Sequence, residues 1–260
     1  MNRIKAVFFD IDGTLVSFQT HCVPQSAIDA IGILRSKGIR VFIASGRQYA
    51  LINNLGSLQF DGYVTINGAL TLIDGKMVDS HPIPPTDLKL VSKYLESNNK
   101  FPCFFVTQNS ILLNYSNADV EEIRQLINFP KIPVANIDTL SGEEPIYQLI
   151  AFFRENDESN IMQCLPHCTT ARWHPLFADV VASGVSKVVG MERICQHFGI
   201  SQSETMAFGD GGNDIEMLQW AGVGIAMGNA TDEVKKYANY VTSDVDNNGI
   251  FNAVKHFFEK

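Results

Sequence analysis

The chain has 260 residues, of which 45% are hydrophobic and 18% charged, and its formal net charge is −8. This composition is that of a globular protein and excludes a disordered, collagenous or coiled-coil chain. Because a net negative charge repels nucleic acid and anionic lipid, we expect neither as a partner. The apolar run before Asp10 is shorter than the ~7–15 residues of a signal peptide, and no later run reaches the ~20 that span a bilayer. Five scattered cysteines are typical of reduced thiols, so the sequence predicts a cytoplasmic protein.

The two ends of the chain share one pattern, in which a short apolar run is followed by a polar turn and then by a helical period. The predicted strands are 4–9, 41–44, 63–66, 205–209, 224–227 and 240–242, and the predicted helices are 27–37 and 233–238. Apolar strands that alternate with helices indicate a buried parallel sheet. In such sheets ligands bind beyond the carboxyl ends of the strands.

The middle of the chain has a different pattern, in which pairs of adjacent strands lie between helices. The predicted helices are 87–96, 120–127 and 159–165, and the predicted strands are 103–107, 111–115, 146–153, 170–174 and 178–182. Adjacent strand pairs favour an antiparallel α+β module, and the prolines at 82–85 are interpreted as a linker. We therefore predict an α/β core over 1–82 and 184–260, with an inserted domain over 83–183.

Two carboxylates, Asp10 and Asp12, stand just past the first predicted strand and before Gly13. Such a pair suits a divalent hard cation, or a nucleophile beside a general acid. A solvated Asp-Gly turn is the alternative for this segment taken alone.

Further polar groups follow other strands or begin a helix. Ser45 and Gly46 offer a hydroxyl and an open backbone N–H, which suit a phosphate oxygen, although a helix-capping serine is equally compatible. Lys187 begins a predicted helix, where the macrodipole disfavours a cation, so it makes better sense opposite an anion. Asp210 and Asp214 add two acids in a glycine-rich loop, and carboxylates at one edge repel one another unless a cation neutralises them.

In this order, the segments D-x-D-G-T-L, S-G-R, G-V-S-K and G-D-x-x-N-D resemble the four motifs of the haloacid dehalogenase superfamily, in its Cof-like subgroup with a type IIB cap. The resemblance covers nearly the whole chain. It implies a Rossmann-like parallel-sheet core with an inserted α+β cap domain, and a Mg²⁺-dependent phosphatase. An aspartate two residues after the nucleophile resembles the phosphatase and phosphomutase pattern, and not the dehalogenase or ion-pump pattern.

The resemblance also implies roles for individual residues. Asp10 matches the nucleophile that forms an aspartyl-phosphate, and Asp12 matches the general acid and base. The expected Mg²⁺ ligands are Asp10, the backbone carbonyl of Asp12, and Asp210, while Asp214 supports the metal or the lysine. The expected phosphate contacts are Ile11, Ser45, Gly46, Lys187 and Asn213, and Thr14 is expected to orient the first motif. Because Asp12 must carry a proton as the ester oxygen leaves, we expect its environment to raise its pKa.

The leaving group of the substrate is expected to be recognised by residues outside these motifs, including residues of the cap. The candidates for substrate specificity are Arg47, Asn67, Arg172, Trp173 and His174. By analogy with the subgroup, the expected substrate is a small phosphorylated metabolite, above all a sugar phosphate. For Arg172, Trp173 and His174, an ordinary amphipathic strand is an equally good interpretation.

The sequence is also compatible, to different degrees, with other functions. A sugar phosphomutase shares the carboxylate pair, a non-catalytic binding module is disfavoured by the intact motifs, and a protein phosphatase is disfavoured by the large insertion. Cys164, His167 and Cys168 cannot complete a tetrahedral zinc site, so we expect no structural zinc, and the metal that the resemblance implies is Mg²⁺. Nothing in the pattern predicts a large apolar seam, and we expect a monomer or a weak dimer.

Overall fold

The computed structural model describes residues 4–97, 100–135 and 144–259. The chain divides into two compact units, the first formed by Met1–Asp79 with Ser186–Lys260 and the second by Ser80–Val185. The boundaries predicted after residues 82 and 183 lie within a few residues of these. The second unit is thus an insertion between two segments that fold together.

The first unit is built on an eight-stranded sheet. Numbered along the chain, its strands are β1 (Ala6–Phe9), β2 (Arg40–Ala44), β3 (Gly62–Thr65), β4 (Leu70–Ile73), β5 (Lys76–Ser80), β11 (Thr205–Gly209), β12 (Val223–Ala226) and β13 (Tyr240–Val241). Their order across the sheet is β13-β12-β11-β1-β2-β3-β4-β5. All neighbouring pairs from β13 to β3 are parallel, so their carboxyl ends share one edge.

Helices cover both faces of this sheet. They are α1 (Gln25–Ser36), α5 (Lys187–Phe198), α6 (Ile215–Trp220), α7 (Asp232–Lys235) and α8 (Gly249–Phe258). Val7 and Phe9 pack with α1 and α8 on one face, whereas Ala6 and Phe8 pack with α5 and α6 on the other. Because alternate side chains enter two different cores, every residue of β1 is buried, and its sequence is continuously apolar.

The strands β4 and β5 were not predicted from the sequence. They are joined at Asp74 and Gly75, whose φ angles of 52° and 70° are both left-handed, as in a type I′ hairpin turn. β4 is antiparallel to β3, so the sheet continues beyond its parallel part. The Asp-Gly pair between apolar runs is the signal that would have identified this hairpin.

The second unit contains a five-stranded antiparallel sheet with helices, as the α+β prediction required. Its strands are β6 (Cys103–Val106), β7 (Ile111–Leu113), β8 (Gln148–Ala151), β9 (Cys168–His174) and β10 (Phe177–Ala182), and its helices are α2 (Pro85–Glu96), α3 (Ala118–Leu126) and α4 (Glu155–Ile161). The strand order is β7-β6-β8-β10-β9. Val91 and Leu95 of α2 pack against Phe105, Leu149 and Val180 of the sheet.

Of the prolines interpreted as a linker, Pro84 and Pro85 begin a helix, whereas Pro82 lies in the irregular stretch just before it. Pro84 is the N-cap of α2 and Pro85 is its first residue. The ring of proline presets φ near the helical value, and the N–H that it lacks would have no partner in the first turn. In the described part of the chain, no helix is long and apolar enough to cross a membrane.

A buried carboxylate ties α2 to the start of β9. Asp87 is fully buried and accepts hydrogen bonds of 2.8 Å from both the backbone N–H and the Nδ1 of His167. The Cys168 thiol lies 3.6 Å from the same carboxylate. His167 and Cys168, which had been weighed as metal ligands, are therefore donors to Asp87.

The Asp87 contact predicts an acid-sensitive part of the stability. Burial alone would raise the pKa of Asp87, but the hydrogen bonds from His167 outweigh it and hold the pKa below its ordinary value. The contact therefore stabilises the fold above the unfolded pKa of about 4 and is lost as the pH falls through the lower, folded pKa. We expect Asp87→Asn to reduce the unfolding free energy by about 1–3 kcal/mol at pH 7, and by less below pH 4.

Urea unfolding at pH 7 and pH 3.5 would measure this difference. The chain has two tryptophans, one in each unit, so Trp173 fluorescence in a Trp220→Phe background reports on the second unit. Asp119→Asn is the matched control, because Asp119 pairs with Arg154 at the surface, with side-chain exposures of 30% and 49%. An equal deficit at both pH values would contradict the prediction.

Candidate active site

Polar residues from four parallel strands meet at the carboxyl edge of the first sheet. Asp10 follows β1, Ser45 follows β2, Asn67 lies in the turn after β3, and Asp210 follows β11. The strands are in register here, since Phe9, the last residue of β1, pairs with the last residue but one of each neighbouring strand. The ends of these strands therefore lie together at the edge where the sequence predicted the site.

A buried lysine joins two of the acids. Lys187 Nζ donates to Asp10 Oδ1 and to Asp214 Oδ1, each at 2.6 Å. Asp214 Oδ2 accepts the backbone N–H groups of Asp210 and Gly211, both at 2.9 Å, so each oxygen of this carboxylate has a donor. Among the described residues, Asp10 Oδ2 has no hydrogen-bond donor, and the Asp10 side chain is still 10% exposed. Of the two Asp10 oxygens, only Oδ1 therefore has a hydrogen-bond donor in the described part of the chain.

Lys187 is the first residue of α5, a position that the helix macrodipole makes unfavourable for a cation. Burial would lower its pKa further, but the charges of Asp10 and Asp214 outweigh both effects and hold the pKa above its ordinary value. The sequence predicted an anion opposite Lys187. The carboxylates of Asp10 and Asp214 supply at least part of that negative charge. The predicted phosphate contact of Lys187 stays a prediction.

Asp210 is held by two side chains. Thr14 Oγ1 donates to Asp210 Oδ1 at 2.8 Å, and Asn229 Nδ2 lies 3.3 Å from Asp210 Oδ2. Gly13 passes so close that a Cβ at that position would lie 2.2 Å from Oδ2, and its φ of 87° also favours glycine. Thr14 therefore links the first motif to the last, and the orienting role that the resemblance implies stays a prediction.

A tight turn contains Asp12 and Gly13. Val16 N–H donates to the Ile11 carbonyl, and Gly13 N–H donates to the Val16 carbonyl. Asp12 then receives two hydrogen bonds from Arg47, at 2.6 Å from Nε and 2.7 Å from Nη2. Arg47, predicted as a specificity residue, is thus the partner of the predicted general acid. The phosphate contact expected for the backbone N–H of Ile11 stays a prediction.

Two of the predicted phosphate-binding groups, Ser45 and Gly46, follow β2, on the other side of β1 from Asp210 in the sheet order. Ser45 is 2% exposed, and its Oγ accepts the backbone N–H of Arg47 at 3.2 Å, which leaves the hydroxyl hydrogen to donate. Asn213 Nδ2 donates to Asn67 Oδ1 at 2.9 Å. A Cβ added to Gly46 would lie 3.2 Å from the Asn67 amide, so that turn is close-packed. Asn67, predicted as a specificity residue, therefore orients Asn213.

The acids at this edge fit a divalent cation. Carboxylate oxygens of Asp10, Asp210 and Asp214 lie within 4.8 Å of one another, and the described residues contain no other cluster of this kind. Burial, partly opposed by Lys187, raises the pKa of Asp10 to about 7, and burial beside Asp10 and Asp214 raises the pKa of Asp210 well above its ordinary range. Burial and the neighbouring carboxylates both disfavour the ionised forms, which a bound cation would relieve, and hard oxygen donors are the ligands that Mg²⁺ prefers.

In the second unit, Arg172 of β9 is held by the segment that follows β8, by β10 and by α4. Its Nη1 donates to the carbonyls of Phe153 and Phe177, at 3.2 and 2.8 Å, and its Nη2 donates to Glu158 at 2.9 Å. These contacts fasten β9 to its surroundings. A role of Arg172 in specificity stays a prediction.

The two other candidates of the second unit lie beside it in β9. The Trp173 side chain lies outside the described part of the structure. His174 Nδ1 accepts the backbone N–H of Leu176 at 3.3 Å, its ring stacks on Phe177, and burial lowers its pKa. Their part in substrate recognition stays a prediction.

One residue at this edge was missed in the sequence. Asn229 follows β12, and its Nδ2 donates to the Gly13 carbonyl at 2.9 Å besides lying near Asp210. The rule that drew attention to Asp10 and Asp210, a polar side chain just past the carboxyl end of a parallel strand, applies equally to Asn229.

Comparison with known proteins identifies the family of the chain. The sequence matches the family of haloacid dehalogenase-like hydrolases over residues 7–254. YkrA of Bacillus subtilis (strain 168), whose name assigns it provisionally to the phosphatases, is 32% identical over 253 residues, which are 96% of each chain.

Two solved structures are similar over nearly their whole length. The sugar phosphatase BT4131 of HAD subclass IIB has a TM-score of 0.91 and 42% identity, over 97% of this chain and 98% of that one. The phosphatase BT1666 from Bacteroides thetaiotaomicron has a TM-score of 0.90 and 37% identity, over 98% and 95%. The chain therefore belongs to the haloacid dehalogenase-like hydrolases and, as its motifs predicted, is a phosphatase of that family.

Proposed function

We propose that this phosphatase hydrolyses monoesters of small phosphorylated metabolites, above all sugar phosphates, through a covalent phosphate on Asp10, with Mg²⁺ as its metal. The observation that carries the proposal is the state of Asp10. One of its oxygens is fixed by Lys187, the other has no donor among the described residues, and two further carboxylates lie beside it. This arrangement suits a nucleophile in a cation-binding site.

In the first step, Asp10 Oδ2 attacks phosphorus and forms an O–P bond while the ester P–O bond breaks. Asp12 gives its proton to the departing alcohol oxygen. In the second step Asp12 takes a proton from water, whose oxygen attacks phosphorus, and the Asp10–phosphate bond breaks to release inorganic phosphate. Lys187 keeps the Asp10 carboxylate in position throughout.

The ion pair between Arg47 and Asp12 affects the first proton transfer, from Asp12 to the leaving alcohol. A guanidinium favours the ionised form of the carboxylate that it contacts, whereas protonation of the leaving alcohol needs the acid form. We therefore propose that the two hydrogen bonds between Arg47 and Asp12 loosen when the substrate is bound. Arg47 would then be free to contact the substrate, which is the role predicted from the sequence.

Asp10 and Asp210 would hold the metal, together with the Asp12 backbone carbonyl expected from the resemblance. When bound there, Mg²⁺ would neutralise the carboxylates and the phosphate oxygens, so that one anion can attack another. Asp214, whose oxygens already accept three hydrogen bonds, is better placed to hold Lys187 and the Asp210 loop than to be a principal ligand.

Two further points belong to the proposal. The sugar-phosphate class is supported by the similarity to the sugar phosphatase BT4131. We also propose a cytoplasmic location, on the acidic charge and the cysteine pattern of the sequence.

Release of inorganic phosphate from a panel of sugar phosphates and other small phosphate esters tests the reaction. We expect release with Mg²⁺ and none with EDTA, and a loss of at least about a thousandfold in kcat for Asp10→Asn, because the nucleophile is removed. Asp29→Asn, an exposed position on α1, is the matched control and should keep full activity. Formation of an isomerised sugar phosphate without phosphate release would indicate a mutase instead, and full activity of Asp10→Asn would overturn the mechanism.

Replacement of the buried lysine should be costly even without substrate. Lys187→Met leaves Asp10 and Asp214 uncompensated in the interior, so we expect the unfolding free energy to fall by about 3–5 kcal/mol at pH 8 in EDTA. Because burial raises the pKa of Asp10 to about 7, protonation of Asp10 should make the deficit smaller at pH 5. Denaturant unfolding at both pH values measures this.

The matched control is Lys236→Met, because the Lys236 side chain is 68% exposed and pairs with Glu233 at the surface. It should change the unfolding free energy little at either pH. Equal effects of the two substitutions would show that the charge of Lys187 is not needed for stability.

A further inference from the structure

We propose that Asn229 is a positioning residue for the divalent cation, because it fixes the Asp210 carboxylate and the Gly13 peptide in one geometry. The inference rests on the proposed function, since it concerns the metal of that site. It does not depend on which substrate is hydrolysed. All its contacts lie within the first unit of the chain.

Both hydrogens of the Asn229 amide nitrogen and its oxygen have hydrogen-bond partners. Nδ2 has two hydrogens, and it contacts the Gly13 carbonyl at 2.9 Å and Asp210 Oδ2 at 3.3 Å. Oδ1 accepts the backbone N–H of Val245 at 3.0 Å. One side chain therefore connects the turn after β1, the end of β11 and the turn before α8.

The orientation of this amide is fixed by chemistry. If the amide were rotated by half a turn, Oδ1 would face two acceptors, the Gly13 carbonyl and Asp210 Oδ2. Nδ2 would then face a donor, the N–H of Val245. Only one orientation makes all three hydrogen bonds, so Val245 determines which atom Asn229 presents to Asp210.

Asp210 consequently has a donor on each oxygen, Thr14 on Oδ1 and Asn229 on Oδ2. The closeness of Gly13 limits movement of Oδ2 on a third side. The Asp12 carbonyl, expected as a metal ligand, belongs to the peptide next to the carbonyl that Asn229 holds. Asn229 thus sets the distance between two of the expected ligand groups, and outer partners of this kind typically change metal affinity about 10–100-fold when removed.

The hydrogen bond from Asn229 to Asp210 also opposes the electrostatic repulsion between the acids. Without a cation, Asp210 lies near Asp10 and Asp214, and their repulsion tends to displace its carboxylate. The amide donor opposes that displacement, so the ligand geometry exists before the cation arrives. Loss of this preorganisation should weaken cation binding and leave the fold largely intact.

Binding of Mn²⁺, followed by the electron paramagnetic resonance signal of free Mn²⁺, tests the proposal without any substrate. We expect Asn229→Ala to raise the Kd for Mn²⁺ about tenfold or more. The control is Asn239→Ala, because Asn239 Oδ1 accepts the Gly224 N–H at 2.7 Å near the other end of β12. Asn239→Ala should lower stability to a similar extent and leave the Kd unchanged.

If Asn229→Ala does not fold, Val245→Pro tests the same link and leaves Asn229 in place. It removes the N–H that orients the amide, at the first residue of a 3₁₀ turn, where proline is tolerated. It should weaken Mn²⁺ binding in the same direction.

Asp210→Asn separates this inference from the proposed function. Wild-type binding that Asp210→Asn abolishes establishes the site. If the site is established in this way, a Kd for Mn²⁺ of Asn229→Ala equal to that of Asn239→Ala would show that Asn229 is only structural. A wild-type protein that binds no Mn²⁺ would overturn the metal site, and with it this inference.

Discussion

The structure at the carboxyl edge of the first sheet depends on one buried cation. Lys187 lies between Asp10 and Asp214, and both distances are 2.6 Å. Removing an ammonium group from water is costly unless opposite charges surround it, and removing carboxylates from water is equally so. Each group is therefore stable in this place only because of the others. The geometry follows from that mutual requirement: the first residue of α5 must lie against the end of β1, and the loop after β11 must fold back to bring Asp214 alongside.

Lys187 compensates only part of the negative charge of the acids, and the uncompensated part favours binding of a cation. Three carboxylates and one ammonium leave a formal charge of about −2 in a region with little water. Burial, together with the neighbouring carboxylates, raises the pKa values of Asp10 and Asp210, and protonation is one way to relieve the unfavourable charge. A divalent cation is the other way. Small residues make the clustering sterically feasible, since a Cβ on Gly209 would lie 2.5 Å from the Asp214 side chain.

The sequence predicted the edge of the sheet well and the pairing of side chains poorly, for a physical reason. Apolar runs that end in polar turns locate strand ends, and parallel strands bring those ends together, so Asp10, Ser45 and Asp210 could be placed from the pattern alone. No such rule says which side chains then touch. The ion pair of Arg47 with Asp12 depends on the tight turn at Gly13, and the contact of Asp87 with His167 joins residues far apart in the chain. Local signals that were present but not used account for the rest: Asp74-Gly75 marked a hairpin, and Pro84-Pro85 marked the start of a helix rather than a linker.

The excess negative charge also determines the order in which the site can be filled. A phosphate monoester is a dianion, and the whole chain adds a net charge of −8 around it. Lys187 cannot attract this dianion alone, because its charge is already shared by Asp10 and Asp214. The local charge must therefore be lowered before an anion is bound tightly. Protonation of Asp10 would lower it, but a protonated carboxyl is a poor nucleophile, so that route removes the reactivity along with the charge. A cation lowers the charge and keeps Asp10 ionised. Repulsion between the acids thus argues for a cation that binds before the substrate.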